Sequence, residues 1–89
     1  MASGMPGDEL IEAGMADLER GTQSVAALLV SIGAPRLRQL GRRLPATIAE
    51  PEHRLYEYLS RADPDGAHSQ YNALVRRLVS FERAAACAR

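Results

Sequence analysis

Residues 22–44 read TQSVAALLVSIGAPRLRQLGRRL, and the way this stretch is cut into helices decides the fold. Val25, Ala26, Ala27, Leu28, Leu29, Val30 and Ile32 are apolar almost all the way round a helical wheel, the pattern of a helix at the centre of a domain. A short apolar run also suits a buried strand, but no second strand is visible to pair with it, so a helix is expected. Thr22 or Ser24 can cap its start. Gly33 reads as the left-handed residue that ends it. Pro35 reads as the first residue of the next helix, where a missing amide hydrogen costs nothing. The stretch therefore predicts two helices, 23–32 and 35–44, broken at Gly33-Ala34.

Working outward, residues 1–7 are small and carry no pattern to bury, which predicts a flexible N-terminal tail ahead of a single helical domain at 8–89. Asp8 is a good N-cap, Glu9 and Glu12 suit a first helical turn, and Leu10, Ile11, Gly14, Met15 and Leu18 share one stripe before Gly21 stops a helix over 8–20. Residues 45–50 form the clear connector. Pro51 opens a helix over 51–62, with Leu55, Tyr58, Leu59 and Ala62 expected inward. Glu50 with Arg54 and Glu57 with Arg61 stand four apart in the favourable order for ion pairs. Asp63 and Pro64 then spell a cap and a helix start. In the last and longest helix, 65–87, Tyr71, Leu74, Val75, Leu78, Phe81 and Ala85 fill one face, and Asn72, Arg76, Ser80, Arg83 and Cys87 line the other. The expected fold is an all-α bundle of about five helices with the 22–32 helix central.

At 89 residues the chain supports one modest core, and a dimer that shares it would add stability. With four aromatic residues, Tyr56, Tyr58, Tyr71 and Phe81, that core must be built from Leu, Val, Ile and Ala. A lone cysteine, Cys87, and no charged leader before an apolar run point to a reducing cytoplasm. The apolar run up to Ile32 is far below the roughly twenty residues that span a bilayer, so no membrane partner is expected.

All eleven basic side chains are arginine, in a chain with a formal net charge of zero. An alanine-rich, lysine-free composition follows from GC-rich coding as readily as from function, so position carries the argument rather than residue type. The zero sum hides blocks of alternating sign: minus four over 1–35, plus four over 36–49, minus three over 50–65 and plus three over 66–89. The neutral balance argues against a nonspecific polyanion binder.

Residues 35–44 present Arg36, Arg38, Gln39, Arg42 and Arg43 with no acid on their own helix, which makes them the candidate partner-binding patch. Arg76 and Arg83 form a secondary strip. Glu82 falls in the apolar arc of the last helix, where a carboxylate is costly unless paired. It is expected either to meet an arginine such as Arg38 or Arg42 or to lie at a subunit interface. His53, His68 and Cys87 stand on different stretches, so no metal site is expected. No nucleophile with an assured base and no phosphate-binding glycine loop appears, so no cofactor, no small-molecule substrate and no enzymatic activity are expected. Two functions remain. One is a non-catalytic, dimeric protein-interaction or regulatory module in which acidic and basic faces meet. The other is a DNA-binding helix-turn-helix regulator that reads DNA with the arginine-rich helix 35–44.

Overall fold

The structure, a computed structural model, describes residues 7–87. It is all-helical over those residues, with four helices: α1 (Asp8–Glu19), α2 (Val25–Gln39), α3 (Pro51–Ala62) and α4 (Ala67–Cys87). The tail expected at 1–7 lies, Gly7 apart, outside the described residues. The count of about five is corrected to four because 23–32 and 35–44 are one helix, and Pro35 sits inside it.

A proline in a helix interior removes one hydrogen bond and costs about 3 kcal/mol. What carries α2 through it is a stripe that does not stop. Ala26, Val30, Gly33 and Leu37 recur at helical spacing and all are buried, Leu37 completely. Burial of a leucine side chain contributes about 2 kcal/mol, and Ala34 beside it is buried as well.

Gly33 has a different task from the expected one. A β-carbon there would stand 2.7 Å from a Leu78 methyl and 3.1 Å from a Glu82 carboxylate oxygen, so its bare backbone lets α4 cross close to α2. The residue that ends the helix is Gly41, left-handed at φ 93°. Arg42 N–H donates to the Leu37 carbonyl and Gly41 N–H to the Arg38 carbonyl, both at 3.0 Å, which is the six-to-one and five-to-two pairing of a Schellman cap. Gly21 closes α1 in the same way, with Thr22 N–H on the Asp17 carbonyl at 2.8 Å. That helix end was expected.

α2 is the centre, as its apolar circumference predicted: it packs against each of the other three helices. α1 crosses it at Gly14, where a β-carbon would lie 2.3 Å from the Ala26 carbonyl oxygen and 2.4 Å from a Val30 methyl. Ser24 caps α2 by accepting from Ala27 N–H at 3.0 Å, and its hydroxyl donates to Asp17 at 2.6 Å, which joins the end of α1 to the start of α2. Ser31 is the buried polar residue of the core. Its hydroxyl donates to the Ala27 carbonyl at 2.9 Å and accepts from Ile48 N–H at 3.1 Å, tying the connector to α2.

α3 lies across α2 and α4, burying Leu55 and Leu59. Tyr58 and Ala62, expected inward, are exposed, Tyr58 by 51%. Tyr56 meets Tyr71 of α4 edge to face at 5.8 Å. The pairs Glu50–Arg54 and Glu57–Arg61 do not form; Glu57 instead approaches His53 at 3.5 Å. In α4 both expected faces hold: Leu78 and Phe81 are buried, Tyr71, Leu74, Val75 and Ala85 half-buried, and Asn72, Arg76, Ser80, Arg83 and Cys87 exposed. Asp63 accepts from Gly66 N–H at 3.1 Å and from Gln70 at 3.2 Å, and residues 64–66 make a turn before the helix starts at Ala67. The radius of gyration, 12.7 Å, is close to the roughly 12 Å of a packed domain this long. Among the described residues no helix is long and apolar enough to cross a membrane.

Candidate functional site

The five residues of the expected patch do not share a surface. Leu37 faces the core, so Arg36 and Arg38, each about 100° away from it on the wheel, leave α2 on opposite edges. Arg36 turns to the α4 side, where its guanidinium approaches Gln39 Oε1 at 3.4 Å and its charge acts on Glu82. Arg38 lies on the other edge, exposed, with no carboxylate within ion-pair distance among the described residues. Gln39 is also exposed.

Arg42 lies beyond the helix. Because Gly41 reverses the chain, Arg42 swings back over α1 and reaches Glu12 at 3.0 Å and Asp8 at 3.9 Å. Its guanidinium also stands 5.2 Å from the centroid of the buried Phe81 ring, within the range of a cation–π contact. One side chain thus clasps α1 to α4 at the point where α2 ends. Asp8, expected as an N-cap, is the first residue of α1 instead. Gly7 takes the cap position at φ 75°, and no side chain makes a capping bond there. Arg43 is exposed and, among the described residues, has no acid within ion-pair distance.

Glu82 is half-buried beside Gly33. Desolvation pushes its carboxyl above the ordinary value of 4.5, and the Arg36 charge pulls it back down. The expected partners were Arg38 or Arg42. Arg36 takes that role because the glycine crossing brings Glu82 to the edge of α2 that Arg36 shares with Gly33. No arginine comes within 4 Å of Glu82 among the described residues, so the carboxylate feels a favourable charge without a direct ion pair. On α3 and α4, Tyr71 is also raised, first by burial and then by the charge of Glu52.

The secondary strip keeps its form. Arg76 and Arg83, two turns apart on α4, are exposed, as are Arg77 and Ser80. Gly7, at the start of α1, lies close over α4, where a β-carbon would be 3.1 Å from the Arg77 carbonyl oxygen. A shallow open groove of about 310 Å³ runs there, lined by Gly7, Ala73, Arg76, Arg77 and Ser80. No acid stands on this face of α4; Glu82, the acid of that helix, points to the opposite side. Sequence reasoning missed the groove because Gly7 belongs to the segment read as tail.

His53 and His68 lie on α3 and α4, and Cys87 is an exposed free thiol. His68 shares a 3.2 Å hydrogen bond with Asn72. Among the described residues no group of three or more His, Cys, Asp or Glu side chains is placed to hold a metal ion. No protein-family model, no curated protein and no solved structure matches the chain.

Proposed function

We propose that this chain is a small, non-catalytic helical module that acts by binding protein surfaces, a second copy of itself included, through its uncompensated arginines. The observation behind this reading is that Arg38, Arg43, Arg76, Arg77 and Arg83 are all exposed and lack a carboxylate within ion-pair distance among the described residues. Guanidinium groups presented by a folded scaffold are ready-made partners for carboxylates, to which they bond through two parallel N–H groups. Such contacts set orientation and association rate more than raw affinity, as suits a regulatory or assembly role.

Reading DNA with helix 35–44 loses the pair of helices on which it was built, since Gly33-Ala34 is helix interior and residues 40–44 lie beyond the helix end. Affinity capture from the native cell tests the protein reading. The expected result is a stoichiometric partner that is lost with Arg38→Glu/Arg43→Glu or with Arg76→Glu/Arg83→Glu. Recovery of the same proteins with and without these changes would overturn it. Duplex binding that weakens steeply with salt, with a shallower slope after Arg38→Ala, would move the function to nucleic acid.

A further inference from the structure

We propose that the basic outer face of α4 receives the acidic outer face of α1 from a second copy of the chain, and the reverse, in a two-fold dimer. This rests on the interaction reading above and names its partner.

On α1, Ile11, Gly14 and Leu18 face α2, which leaves Glu9, Glu12 and Glu19 on the exposed arc with the small residues Ala13 and Ala16 between them. On α4, Leu78 and Phe81 face inward, which leaves Arg76 and Arg83 on the exposed arc with the small residue Ser80 between them and Ala73 one turn before Arg76. Glu12 and Glu19 are seven residues apart, as are Arg76 and Arg83, so both pairs are spaced by about 10.5 Å along their helices. Small residues between the charges let two helices approach closely, and opposite signs at the same spacing set their register.

Within one molecule the two arcs cannot meet, because each points away from α2. Between two copies they can meet twice. Gly7, the residue before α1, lies over α4 at Arg77, so the start of α1 stands beside the groove that Gly7 lines together with Ala73, Arg76, Arg77 and Ser80 of the arginine strip's own helix. A two-fold axis that brings α1 of one copy to α4 of the other necessarily repeats the contact, which closes the assembly at two. Glu12 can serve both its clasp with Arg42 and this contact, since its side chain remains 58% exposed and a carboxylate accepts several hydrogen bonds.

The test is sedimentation equilibrium of the full chain at low salt, from roughly micromolar to millimolar concentration. The wild-type chain should form dimers. Arg76→Glu/Arg83→Glu places acid against acid, Glu9→Arg/Glu19→Arg places base against base, and each alone should weaken the dimer by about 10²-fold or more. An equal mixture of the two should restore it as a heterodimer, because every α1–α4 contact is then again acid on base. A mixture that stays monomeric, or species that grow beyond the dimer, would overturn the proposal. Should either variant fail to fold, the wild-type chain alone decides: its dimer must weaken as salt rises from about 0.05 to about 0.5 M, and indifference to salt overturns the interface. A dimer untouched by these charges removes this interface and leaves self-association standing. A wild-type monomer that still captures a partner removes the dimer and leaves the module.

Discussion

The two arginine groups of this chain look alike on paper and behave oppositely in space. The 36–43 group, dense and without a local acid, disperses: Arg36 goes to the Glu82 side, Arg42 to α1 and Phe81, and Arg38 to the far edge of α2. The 76–83 group, thinner in sequence, stays together because one unbroken helix carries it. A charge cluster is a surface only when a single element holds it in register. The denser cluster straddles a helix end, and the chain reversal at Gly41 sends its members to different neighbours.

The largest expected effect is at the clasp. Arg42→Ala removes the ion pairs with Glu12 and Asp8 and the cation–π contact with Phe81, and should destabilise the fold by about 1–2 kcal/mol. Urea unfolding measures this, and a midpoint equal to wild type would place Arg42 back among the free arginines. Next comes the reversal itself. Gly41→Ala forces a β-carbon into left-handed backbone at φ 93° and should cost about 1 kcal/mol by the same assay.

Glu82→Gln has a smaller effect and the opposite sign. The Glu82 carboxyl is raised on folding, so the folded state binds its proton more readily than the unfolded state does. Its charge therefore opposes folding above its folded pKa, and that penalty fades as pH falls toward the ordinary carboxylate value of 4.5. Glu82→Gln should raise the melting temperature at neutral pH and flatten this acid-side gain. Lower stability of the variant at neutral pH would mean that the Arg36 attraction outweighs the burial. The smallest effect is at Arg38→Ala and Arg43→Ala, each expected within about 0.5 kcal/mol of wild type. A larger loss would mean that these arginines, too, belong to the fold.

Much of the fold was legible because it is local. The stripe of α1, the Gly21 stop, the limits of α3 and both faces of α4 follow from spacing, proline and glycine. The division of α2 was not legible, since a glycine followed two residues later by proline is a strong local stop signal. What overrides it is the crossing with α4, where Leu78 needs the space at Gly33. The apolar stripe through Ala26, Val30, Gly33 and Leu37 was the available signal. Glu82 stands out in the sequence as a carboxylate within an apolar arc. Its choice of Arg36 depends on which edge of α2 faces α4, and nothing local to Glu82 specifies that edge. Arg42 could not be separated from Arg38 for the same reason: its partners Asp8, Glu12 and Phe81 are thirty or more residues distant in sequence.

A double-mutant cycle between Glu12 and Arg42 tests most directly whether the dense cluster has been divided between fold and surface. With Glu12→Gln, Arg42→Ala and the double variant unfolded in urea at low salt, the clasp predicts a coupling of about 0.5–1 kcal/mol that shrinks as salt is added. Additive losses at low salt would contradict it and return Arg42 to the exposed arginines.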